Sequence, residues 1–87
     1  MKKLIKSENY KDFIILIIQK NNIYYAVICH ELHKTQLFLC SSITKEIRCW
    51  NSDVEVLLAA QKHIDFYGLE MLRQIELHEL YSLRAVN

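Results

Sequence analysis

Three cysteines and four histidines are the residues of this 87-residue chain best suited to bind a metal or attack a substrate. Thiolates and imidazoles are zinc's preferred ligands, and Cys29, His30, His33, Cys40 and Cys49 hold enough donors to close a tetrahedron. The spacing argues otherwise. Zinc ligands come in pairs about two to four residues apart, whereas Cys40 and Cys49 fall in stretches of strand character, where cysteine serves as a small buried hydrophobe. Cys29-His30-Glu31 sets a nucleophile, a base and an acid side by side. Successive strand residues point to opposite faces, so these neighbours form no relay. His63 and Asp65 are two apart in a helical stretch and do not face each other. The chemistry therefore predicts no metal, no cofactor and no enzyme.

Two further patterns bear on nucleic acids. In Arg73-Gln74-Ile75-Glu76-Leu77-His78, four residues separate Arg from His. That spacing resembles the motif of the HEPN family of ribonucleases, which implies RNA cleavage by Arg73 and His78. The family is an all-helical bundle, whereas this chain opens with strands, so a small ribonuclease is the third choice of function. The second choice is nucleic-acid binding by the basic half of the chain. Tyr10, Tyr24, Tyr25, Phe38 and Trp50 would supply stacking platforms beside Lys11, Lys20, Lys34, Lys45 and Arg48. Gly68 is the only glycine and proline is absent. Glycine-rich phosphate loops, which need tight turns and close backbone approach, are thereby excluded.

The elements that must position these residues follow from hydrophobic period. Residues 1–11 carry four lysines and read as a polar lead-in or a short edge element. Residues 13–18 form an unbroken apolar run, the pattern of a central strand covered on both sides. Gln19-Lys20-Asn21-Asn22 supplies a turn, and residues 23–29 follow as a second, paired strand. Residues 35–41 alternate, with Leu37 and Leu39 on one face and Phe38 and Cys40 on the other. Residues 43–50 alternate more strictly still, and three charges suit that strand to an edge.

The period changes after Trp50. Ser52-Asp53-Val54-Glu55 has the spacing of a capping box, and a helix is expected over 52–67 with Gly68 as its C-terminal cap. Residues 69–86 are good helix formers, with apolar side chains almost all round the wheel. The alternative is a final strand through residues 75–78. The fold class expected is α+β: one domain, 1–87, with a mainly antiparallel sheet of three to four strands. One or two C-terminal helices should pack on one face. The expected core is Phe13, Ile15, Ile17, Tyr25, Val27, Leu37, Leu39, Ile47, Leu57, Leu58, Ile64, Leu72 and Ile75.

Charge changes at the same boundary. Residues 1–50 hold eight basic and four acidic side chains, residues 51–87 three and six. Half the composition is hydrophobic, more than so small a body can bury, so exposed apolar surface should meet a partner or a second copy. The apolar run at 13–18 is too short for a signal core or a membrane span, and the odd number of cysteines suits a reducing cytoplasm. The preferred function is a small non-enzymatic protein-binding module. Its plausible role is that of a phage or mobile-element inhibitor of a bacterial defence or nucleoprotein complex, an anti-CRISPR-like role. A homodimer and a protein partner are expected, with no membrane. Asp53, Glu55, Asp65, Glu70, Glu76 and Glu79 are the candidate partner-binding residues, since an acidic helix suits a basic nucleic-acid-binding groove.

Overall fold

The computed structural model describes residues 2–33, 36–39 and 46–86. Four strands, β1 (Lys2–Tyr10), β2 (Phe13–Lys20), β3 (Ile23–His30) and β4 (Gln36–Phe38), precede one helix, α1 (Asp53–Val86). The strands form an antiparallel sheet in the order β1-β2-β3-β4, and α1 packs on one face of it. The α+β architecture is the one its sequence implies.

Burial on β2 alternates strictly. Phe13, Ile15 and Ile17 are buried, while Ile14, Leu16 and Ile18 are half-exposed. The register sets Phe13 beside His30, Ile15 beside Ile28 and Ile17 beside Ala26. Onto this face α1 lays Val56, Ala60, Ile64 and Met71. Ile15, Ile17, Ile28, Val56 and Ile75 are fully buried, and each contributes roughly 1.5–3 kcal/mol by leaving water. Ala26 and Ala60, both without exposed surface, leave room for close approach of helix and sheet. The opposite face carries Ile14, Leu16 and Ile18 beside Cys29, Val27 and Tyr25. Tyr25 and Val27 are buried there, outside the helix-facing cluster. The apolar run at 13–18 thus serves two faces, but α1 covers only one.

The structure corrects several expectations. The lysine-rich N-terminal stretch is a nine-residue edge strand, with a register shift between Leu4 and Lys6. Lysines along an exposed edge oppose pairing with another chain. The two-residue turn into β2 places both Lys11 (φ 48°) and Asp12 (φ 68°) in the left-handed region, as a type I′ hairpin requires. Asn21 (φ 59°) makes the next turn, as its residue type implies. The strand expected over 43–50 is not formed in its described part. Residues 43–45 lie outside the described residues, and Ile47 is 44 % exposed rather than in the core. Within the described part Ile47 and Trp50 each make an isolated β-bridge, and Trp50 exchanges both amide hydrogen bonds with Tyr24 at 2.8 Å. An Arg48 N–H to Leu39 carbonyl bond of 2.7 Å braces the same segment. The row beside β3 is therefore filled by β4 opposite Val27–Cys29 and by Trp50 opposite Tyr24. Of the strand expected over 35–41, β4 occupies Gln36–Phe38, and Thr35, Cys40 and Ser41 lie outside the described residues.

The helix start follows its capping signal. The Glu55 N–H reaches the Ser52 hydroxyl at 3.5 Å, and the Val56 N–H donates to the Ser52 carbonyl. Its end does not: α1 runs 34 residues through Gly68 without a break, and the strand alternative over 75–78 falls away. Gly68 has no left-handed φ. Met71, packed in the core cluster, and the fully buried Ile75 hold the second half in place, so tertiary packing overrides a weak local stop signal. Leu58, expected in the core, is 55 % exposed, because Val56 and Ala60 take the inward positions. Leu57 and Leu37 are partly buried at the margin of the core, and Leu72 is half-buried.

A Cβ at position 68 would sit 3.6 Å from Phe13 Cε2 and 3.8 Å from Ile64 Cγ2, ordinary van der Waals separations. Gly68→Ala should therefore stabilise the fold by about 0.5–1 kcal/mol through helix propensity. Urea unfolding should show it as a higher midpoint at unchanged slope. A lower midpoint would mean that the helix breaks at this residue.

Candidate partner-binding cleft

The first half of α1 borders an open cleft of about 800 Å³. Trp50 and Arg48 stand at one end, Tyr10 and Asp65 at the other, and Glu55, Leu58, Lys62, His63, Phe66 and Tyr67 line it from the helix. The Tyr24–Trp50 amide pair fixes Trp50, and the Arg48 guanidinium lies 4.9 Å from the indole centroid. That is cation–π range. The His63 ring lies 5.0 Å from that of Tyr67, tilted by 42°. Burial pushes the His63 imidazole below its ordinary 6.5, favouring the neutral ring.

Asp65 ties the helix to the first hairpin. Its carboxylate accepts the Tyr10 hydroxyl at 2.9 and 3.0 Å and pairs with the Lys11 ammonium. The bond from Lys11, followed by that from Tyr10, holds the Asp65 carboxyl below its usual range. The same carboxylate raises the Lys11 ammonium and the Tyr10 phenol. A second tie lies further along α1. The His33 Nδ1 meets both Glu79 carboxylate oxygens at 2.8 Å. His33 lies 5.0 Å from the buried His30 ring, which packs edge-on to Phe13. The His30 Nδ1 accepts the Leu32 N–H at 3.2 Å, which leaves its proton on Nε2.

The six acidic candidates do not share one face. Glu55 and Asp65 line the cleft, while Asp53 is exposed in the first turn and accepts the Val54 N–H. Glu70 borders a separate hollow with Leu69, Arg73, Gln74 and Leu77. Glu76 is exposed on the outward side, and Glu79 is engaged by His33. Asp65 and Glu79 are thus internal ties, which a local sequence pattern cannot reveal: their partners lie 54 and 46 residues away.

The remaining chemical candidates are dispersed. Cys29 is half-buried on the sheet face away from His30, and burial raises its thiol, so it resists forming the reactive thiolate. Cys49 is exposed, and Cys40 lies outside the described residues. Among the described residues no group of three or more His, Cys, Asp or Glu is placed to hold a metal. Arg73 and His78, five positions apart on α1, are separated by about 140° around the helix. The proposed stacking aromatics also diverge: Tyr24 and Tyr25 are successive strand residues on opposite faces, with Tyr25 buried. No helix among the described residues is long and apolar enough to cross a membrane. No protein-family model, curated protein or solved structure matches the chain.

The Asp65 tie has a signed pH dependence. With its carboxyl depressed, Asp65 adds stability above the ordinary 3.8 that is lost as pH falls through the lower folded value. Tyr10 and Lys11, both raised, add stability below their ordinary 10.0 and 10.5 that is lost as pH rises through the folded values. Carbon-detected NMR titration should place the Asp65 midpoint below 3.8. Lys11→Met should move it back upward, and an unmoved midpoint would deny the pairing. For His63 the neutral folded ring means stability should decline as pH drops below 6.5, and His63→Gln should flatten that decline.

Proposed function

We propose that this chain is a small, non-enzymatic protein-binding module that seats a segment of a partner protein in the cleft beside the first half of α1. One observation carries the reading. The cleft gathers Trp50, Tyr10, Phe66, Tyr67 and Arg48, the residue types that concentrate binding energy at protein interfaces. Leu58 and Phe66 stand well exposed within it, an apolar surface next to fixed polar groups. Its charges are mixed, Arg48 and Lys62 against Glu55 and Asp65. That balance favours a protein segment with both kinds of group over a phosphate backbone, which demands a uniformly positive track. The narrower role, a phage or mobile-element inhibitor of a bacterial nucleoprotein complex, draws support from the exposed Glu55, Glu70 and Glu76.

The test is affinity capture followed by quantitation of a defined partner against cleft variants. Leu58→Asp and Arg48→Glu should each weaken that partner at least about tenfold, the scale of an interface anchor, while circular dichroism stays unchanged. Retained affinity in both variants would remove the cleft as the binding site. A mobility shift on single-stranded DNA or RNA that weakens steeply with salt would instead support the basic sheet half as a nucleic-acid surface.

A further inference from the structure

The outward side of α1 beyond the cleft carries a second pattern. Leu69, Arg73, Glu76 and Leu80 are spaced four, three and four residues apart, so they form a single stripe on the side opposite the buried Met71 and Ile75. Leu69 is 87 % exposed and Leu80 46 %. Both charged members are exposed and make no ion pair among the described residues. Beside the stripe lies a hollow of about 390 Å³ edged by Glu70, Arg73, Gln74 and Leu77. These positions have the i, i+3, i+4, i+7 spacing of a hole that receives a side chain from a facing helix.

We propose that this stripe pairs with the same stripe of a second copy of the chain, antiparallel, about a two-fold axis passing between Gln74 and Ile75. The charges select that arrangement. In a parallel pair Arg73 faces Arg73 and Glu76 faces Glu76, and like charges in an interface oppose association. In the antiparallel pair each Arg73 meets Glu76 of the other copy, and each Leu69 meets Leu80. Every contact occurs twice, as a two-fold interface requires. The sheet lies on the far side of α1, so two copies approach without hindrance from it. The pairing uses the second half of the helix and leaves Trp50, Arg48 and Leu58 free, so it does not depend on the cleft reading.

Light scattering with size-exclusion chromatography tests it on the intact chain. The protein should elute at twice its 10.4 kDa mass. Arg73→Glu alone sets four carboxylates around the axis, and Glu76→Arg alone sets four guanidinium groups there. Each variant should be monomeric with unchanged helical circular dichroism. Mixing the R73E and E76R chains restores opposite charges across the axis and should restore a dimer, as should the R73E/E76R double variant. A wild-type chain that stays at the single-chain mass at the highest soluble concentration would overturn the proposal. So would an R73E variant that remains dimeric, or a mixture that does not associate.

Discussion

Everything in this fold depends on one seam, where Val56, Ala60, Ile64 and Met71 of α1 meet Phe13, Ile15, Ile17, Ala26 and Ile28 of the two central strands. A single sheet cannot bury its own apolar side chains, and a single helix has no partner but the sheet. The seam answers both needs at once. It also explains why α1 ignores Gly68: the inward residues recur on both sides of that position, and the loss from one glycine, about 1 kcal/mol, is small beside their burial. Polar ties at Asp65 and Glu79 then set the angle of the helix on the sheet, one reaching the first hairpin and the other the segment after β3. Both acids belong to partly exposed pairs, so their contribution is orientation more than energy.

Because the seam uses only one stripe of α1, it leaves the rest of a long, apolar-rich helix facing outward. That excess divides into two regions of different character. Near the helix start, aromatic rings and Arg48 surround a concave space, held by the pairing of Trp50 with Tyr24. Farther along, Leu69, Arg73, Glu76 and Leu80 form a straight stripe beside a smaller hollow of about 390 Å³. A cleft suits an inserted segment and a stripe suits another helix. Surface shape follows from the distance between α1 and its nearest strand segment, since Arg48 and Trp50 flank only the first half.

The sequence made the central hairpin plain, because an unbroken β-branched run, two asparagines and a second such run leave little else to form. It offered β1 only as a polar lead-in or a short edge element, because its lysines show no apolar alternation. That strand exists through its pairing with β2 and through left-handed backbone at Lys11 and Asp12, of which only the aspartate is a residue type that favours such a turn. Residues 46–50, the described part of the strand expected over 43–50, misled in the opposite direction. Their alternation is real, yet Gln36–Phe38 takes the places opposite Val27–Cys29 and Trp50 the one opposite Tyr24, and period alone does not say how two stretches share one neighbour. The cleft was legible only as a list of aromatic and charged residue types. Bringing Tyr10 to Asp65, or Trp50 to Glu55 and Leu58, is the work of the seam, and its registry is set by non-local packing.

The most direct test of that seam is native-state hydrogen exchange followed residue by residue. If helix and sheet are one cooperative unit, amides of Ile15, Ile17 and Ile28 and those of α1 from Ala60 to Ile75 should exchange only through global unfolding. They should share one opening free energy and one denaturant slope, with no drop in protection at Gly68. The account is contradicted if α1 amides exchange through a separate, lower-energy opening while β2 and β3 stay protected, since the helix would then be an appendage rather than the element that closes the core.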